Sequence, residues 1–116
     1  MGAWTQETCR PIVYARAGLG DPQMARCEKC GSAGPLSMDH LKNRSQGGDW
    51  SPSNIVVLCG DGTTGCHGWK THNPTEARAK GWKLLREDPV GVVPIDHHPM
   101  QMPVRLDDEG NMIPAV

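Results

Sequence analysis

Four of the five cysteines fall into two close pairs, Cys27-x2-Cys30 and Cys59-x6-Cys66, separated by 28 residues. Each pair sits in a glycine-bearing turn, CEKCGSAG and CGDGTTGC. Zinc takes four thiolates in a tetrahedron, and two short cysteine loops supply them at little cost in closure entropy. A redox Cys-x-x-Cys beside two unrelated buried thiols would instead call for a strand-helix frame, which these turns lack. An odd count and an N-terminus, MGAWTQETCR, without the apolar core of a secretory signal argue against a disulfide framework. Cys9 is then left over as a small, partly buried hydrophobe.

A second set of polar groups is threaded between and after these pairs: Asp39-His40, Asn54, His67 and His72. A neutral imidazole is the natural proton acceptor near pH 7, and His40 has this chemistry. Asp39 offers a hard oxygen ligand for a divalent ion, or a carboxylate that caps a loop. As neighbours in a regular strand, Asp39 and His40 point to opposite faces, so serving one site would require a twist or bulge. The amide of Asn54 can bridge the polar 41–53 loop. His67 follows a cysteine ligand directly, which pins its backbone and also allows it to replace Cys66 on zinc. His72 lies five residues beyond His67 and is rotated from it by about 140° on a helix. It can join as a third ligand only if the helix breaks before Asn73.

The elements that must position these groups are partly readable. Leu36-Ser37-Met38-Asp39-His40 alternates and predicts a strand, and Ile55-Val56-Val57-Leu58 predicts a second. Between them KNRSQGGDWSPS is too long and polar for a tight hairpin. His67 to His72 predicts a helical turn. A helix then begins with Asn73 as N-cap, Pro74 at the first position and Glu76 at the third, and stops at Gly81. The order is ββα. Residues 1–10 read as frayed, and the run at Ile12 to Ala15 is ambiguous between strand and helix. Val104-Arg105-Leu106 and Met112-Ile113 flank DDEGN as a small hairpin or extended arm.

Taken in order, CEKCG (27–31), MDHLKNRSQGG (38–48), SPSNIVVLC (51–59) and CHGWKTHNP (66–74) resemble the HNH endonuclease family. The resemblance is to the variant whose ββα-metal finger carries a four-cysteine zinc site, closest to short HNH proteins of actinobacteriophages. It implies a small α+β fold of the HNH, or His-Me finger, type. It also implies phosphodiester hydrolysis in DNA, with His40 as base, Asp39 and His67 on Mg²⁺ or Mn²⁺ (Ni²⁺ being a further candidate), and Asn54 holding the loop that orients the base. Cys27, Cys30, Cys59 and Cys66 would hold structural zinc. A bacteriophage origin implies work in the host cytoplasm beside the terminase large subunit or portal. One departure is plain: the family's Leu-Cys-x-x-Cys-His knuckle is widened here to Cys59-x6-Cys66-His67, with Gly60, Gly62 and Gly65 available to fold the extra residues back. The competing reading is a non-catalytic zinc finger that binds nucleic acid or acts as a packaging adaptor.

Composition agrees with a metal-stapled domain. In 116 residues there are four Trp, one Tyr and no Phe, against 14 Gly and 10 Pro, so the core is thin. No stretch approaches the roughly 18 apolar residues of a membrane span. The net charge of −1 hides an asymmetry: residues 1–86 carry 11 basic against 7 acidic side chains, and residues 87–116 carry 1 against 6. The chain accordingly divides into an irregular N-terminal segment that packs on the finger (1–25), the finger itself (26–86) and an acidic, Pro-rich C-terminal arm (87–116). Lys42, Arg44, Lys70, Arg78, Lys80 and Lys83 read as phosphate contacts or an ordinary solvated face. Trp50 reads as a cover for the zinc knuckle or a residue that stacks on a base, Trp69 and Trp82 as core, and His97-His98 beside Asp96 as metal-like in type but a solvated turn in context.

Overall fold

A computed structural model describes residues 3–115. Its centre is the expected ββα unit. Strands β1 (Leu36–His40) and β2 (Ile55–Cys59) pair antiparallel in unbroken register from Leu36 opposite Cys59 to His40 opposite Ile55. Helix α1 (Gln6–Ala17) precedes them, while α2 (Gly65–His72) and α3 (Pro74–Ala79) follow. Ile55 to Leu58 are all buried because β2 is covered on both faces. Ile55 and Val57 meet Cys9, Val13 and Ala17 of α1. Val56 and Leu58 meet Leu41, Ala77, Trp82 and Leu84 on the other side.

The N-terminal segment is helical rather than irregular. Thr5 caps α1 through a reciprocal pair of hydrogen bonds with Thr8, and Cys9, Val13, Arg16 and Ala17 form its buried stripe. Pro11 lies inside this helix. It is tolerated on the exposed side of the helix, where the carbonyl it leaves unpaired can meet water.

The C-terminal third is a sheet rather than an arm. Strands β3 (Ile95–His97), β4 (Met102–Leu106) and β5 (Met112–Pro114) form an antiparallel sheet in that order, with the expected hairpin between β4 and β5. Ile95, Val104 and Leu106 join the same buried cluster as Val56 and Leu58. Two of its acidic residues tie it to the rest of the chain: Asp108 accepts from the N–H and hydroxyl of Ser53, and Asp88 accepts from the Leu85 N–H.

The outer edge of β2 is closed by charge rather than by a third strand. Glu28 exchanges backbone and carboxylate hydrogen bonds with Val57, and Arg16 donates to the Ile55 and Pro52 carbonyls. Arg16 and Glu28 form a two-pronged pair at 2.8 and 2.9 Å with no side-chain exposure. His97, expected as a solvated turn, is buried instead, with Nε2 2.7 Å from Glu28 Oε1. Its Nδ1 accepts from the Met100 N–H, so Nε2 carries the proton and donates to Glu28. Burial alone would raise the Glu28 carboxyl, but Arg16 and these hydrogen bonds hold it at about 2.

Candidate active site and metal centre

The Sγ atoms of Cys27, Cys30, Cys59 and Cys66 all lie within 4.8 Å of one another. Zn–S bonds of about 2.3 Å set tetrahedral sulfurs about 3.8 Å apart, and Cys30 and Cys59 stand at 3.6 Å. The Cys30 N–H donates to Cys27 Sγ and the Cys66 N–H to Cys59 Sγ, as negatively charged sulfurs would require. Burial and the charge of the Cys27 sulfur push the Cys66 thiol up, so four crowded thiolates need a cation among them. The donor set fits zinc. Gly60 and Gly65, both at positive φ, fold the widened knuckle back, and an Asp61–Thr64 bridge closes it.

Asp39 and His67 meet on the face of the β-hairpin that α2 covers. Directly opposed residues share a face, so Ser37 and Asp39 point the same way as Leu58 and Val56. Cys66 anchors the start of α2, which brings His67 over Ser37 at 2.7 Å. The Ser37 hydroxyl has one proton and donates it to the Gly60 carbonyl at 2.8 Å. It therefore accepts from His67 Nδ1–H, and in the neutral ring this leaves the lone pair of Nε2 directed at Asp39 Oδ1, 3.6 Å away. That separation is too long for a hydrogen bond. With the ring neutral, two electron-pair donors face each other, the arrangement a divalent cation relieves.

The other oxygen of Asp39 is occupied. Lys70 Nζ lies 2.9 Å from Oδ2, and Lys70 also donates to the His40 carbonyl. His40 itself is on the opposite face, in line with Ile55; no bulge turns it toward Asp39. Its ring meets Trp50 edge-on at a centroid distance of 4.4 Å, and its Nε2 is buried without any hydrogen-bond partner. Burial holds the imidazole below its ordinary value. The charges of Lys70 and Arg44 act in the same direction, whereas Asp39 opposes them.

Asn54 is fully buried and works as a brace. Its Oδ1 accepts from the Lys42 N–H at 2.8 Å, and its Nδ2 donates to the Lys42 and Asp49 carbonyls at 3.0 Å each. A Cβ at Gly48 would fall 1.8 Å from the Lys42 oxygen and 2.7 Å from Asn54 Nδ2, so the loop closes only over glycine. The loop in turn carries Trp50 onto His40.

Residues 27–73 match the HNH endonuclease family. No match was found among curated proteins or solved structures. The matched segment starts at Cys27 and ends at Asn73, where α2 gives way to α3, so it contains the four-cysteine cluster, the Asp39–His67 pair and Asn54. His72 ends α2 on the exposed surface. The helix does break there, but among the described residues only the four cysteines form a group of three or more metal-ligating side chains. Asn73 does not cap α3 with its side chain; Nδ2 donates back to the Trp69 carbonyl.

Several weaker expectations change. Trp50 packs on His40, not on the zinc knuckle. The knuckle is covered by Trp69 instead, with Lys29 Nζ 4.2 Å above its ring. Of the six basic residues, Lys70 is committed to Asp39, Lys42 to the Arg86 carbonyl, Arg78 to Asp88 and Glu87, and Lys80 to Glu76. Arg44 and Lys83 make no ion pair among the described residues. Cys9 is wholly buried, and burial pushes its thiol up to about 11. Ser37, Glu28 and Arg16 were not singled out from sequence. Only Ser37 left a signal, two positions before Asp39 on an alternating strand. Among the described residues no helix is long and apolar enough to cross a membrane.

Proposed function

We propose that the chain is a metal-dependent endonuclease that hydrolyses phosphodiester bonds in DNA. The observation that carries this reading is the facing pair of Asp39 Oδ1 and His67 Nε2, at the end of the strand that bears the unpartnered His40 Nε2. Asp39 and His67 would hold Mg²⁺ or Mn²⁺, with Ni²⁺ a further candidate, and the ion would stabilise charge on the phosphate and the leaving oxygen. His40 takes a proton from the attacking water, whose oxygen bonds to phosphorus as the P–O bond to the leaving oxygen breaks. A DNA strand crossing the end of β1 meets Asp39 and His67 on one side and His40 on the other. Asn54 acts through the loop that it braces. Cys27, Cys30, Cys59 and Cys66 hold structural zinc, which fixes the start of α2 and thereby His67.

The resemblance to short actinobacteriophage HNH proteins supports a bacteriophage enzyme acting in the host cytoplasm, in genome packaging with the terminase large subunit or portal. Incubating supercoiled plasmid with the zinc-loaded protein and Mg²⁺, Mn²⁺ or Ni²⁺ tests the activity. Nicked or linear DNA is expected from wild type, with a loss of about 10²–10⁴-fold in His40→Ala. Equal cleavage by both removes His40 from the chemistry. DNA binding without cleavage under any ion favours the zinc-finger adaptor.

A further inference from the structure

Lys70 was expected on the surface, and the structure gives it a different place. Its side chain is 7% exposed, and Nζ bonds to both Asp39 Oδ2 and the His40 carbonyl. His67 and Lys70 are three residues apart on α2, one turn of the same face, so one helix delivers an imidazole to Oδ1 and an ammonium to Oδ2. The two oxygens of Asp39 are thus assigned separately. Resting on the reading of Asp39 and His67 as the ion site, we infer that Lys70 is a positioning and specificity residue that restricts Asp39 to one-oxygen coordination and so selects Mg²⁺ or Mn²⁺ over Ca²⁺.

The selection follows from coordination chemistry. Mg²⁺ and Mn²⁺ accept single carboxylate oxygens with waters filling an octahedron, whereas Ca²⁺ seeks 6–8 oxygens and commonly takes both from one carboxylate. An ammonium on Oδ2 denies the second oxygen. Its charge also cancels that of Asp39 before any ion arrives, which keeps the site weak and leaves the remaining coordination to water and phosphate. A lysine with a purely structural role, tying the end of β1 to α2, would not distinguish between the two ions.

Binding rather than cleavage gives the test. Mn²⁺ binding to the zinc-loaded protein is followed by the paramagnetic resonance of the free ion, with Ca²⁺ as competitor. In wild type, a tenfold excess of Ca²⁺ should leave bound Mn²⁺ largely in place; ready displacement overturns the inference without any variant being needed. In Lys70→Met, checked by zinc content and circular dichroism, Ca²⁺ should compete roughly tenfold better relative to Mn²⁺. Lys70→Arg should restore the wild-type preference. If both ions weaken by one common factor in Lys70→Met, Lys70 is structural only and the inference fails. If wild type binds no Mn²⁺ beyond background, the Asp39–His67 site fails and takes this inference with it.

Discussion

Ser37 Oγ stands 2.7 Å from His67 Nδ1 while spending its own proton on the Gly60 carbonyl, so the serine dictates which imidazole nitrogen is free. A partner on the far nitrogen usually tunes a histidine ligand by 10–100-fold in metal affinity. Ser37→Ala is therefore expected to weaken Mn²⁺ binding by about that factor. Zinc content should be unchanged, because the hydroxyl touches no cysteine sulfur. Titration calorimetry with Mn²⁺ checks it, and unaltered affinity would refute the tautomer assignment.

Asn54→Ala leaves the Lys42 N–H and the Lys42 and Asp49 carbonyls without their partner. Buried groups stranded in this way cost about 1–3 kcal/mol each. Urea unfolding should show a loss at the low end of their sum, since the loosened loop can admit water. Cleavage should fall with it, as Trp50 and His40 lose their fixed relation.

Arg16→Met strands Glu28 inside the protein. Breaking a buried pair by removing one partner costs about 3–5 kcal/mol. For a domain of this size that is a large share of total stability. A melting temperature within a degree or two of wild type would show that Glu28 finds compensation in His97 and the Val57 N–H alone.

The pH dependence should follow His40. Burial and the charges of Lys70 and Arg44 favour the neutral ring, so the base is available below the ordinary imidazole value of about 6.5. A cation on Asp39 offsets the larger of the two charges that oppose this, the other being Asp49, which moves the titration further down. The acid limb of cleavage is expected below about pH 6.5, and Arg44→Ala should raise it. An acid limb above that value would contradict the assignment.

Zinc removal should unfold the chain, because the metal links the 27–30 turn, the end of β2 and the start of α2. Cys66→Ser or strong chelation is expected to abolish the cooperative thermal transition. Cys9, with its buried and raised thiol, should then become reactive to a thiol reagent together with the released ligands, four after chelation and three in Cys66→Ser. A zinc-free protein that keeps Cys9 protected would overturn the structural role of the metal.

Residue type and spacing alone were enough to specify the four clustered cysteines, the two finger strands, the brace at Asn54 and the order of the catalytic candidates. These are local statements: a pair of short cysteine loops, a period of two, an amide at the end of a long loop. Helix α1 is not legible because the apolar run Ile12 to Ala15 is too short for its period to separate helix from strand; the burial of Cys9, Val13 and Ala17 against β2 decides it. The tail reads by its charge, yet Ile95, Val104 and Leu106 join the buried cluster of Val56 and Leu58, an association of distant stretches that no local pattern records. The same limit explains Lys70 and His97, surface residues by type, which are buried because Asp39 and Glu28 wait for them across the fold. Sequence by itself determined which groups could do chemistry. Only the tertiary structure decided which oxygen of Asp39 remains for an ion and which nitrogen of His67 faces it, since both depend on partners that converge only when α2 closes over β1.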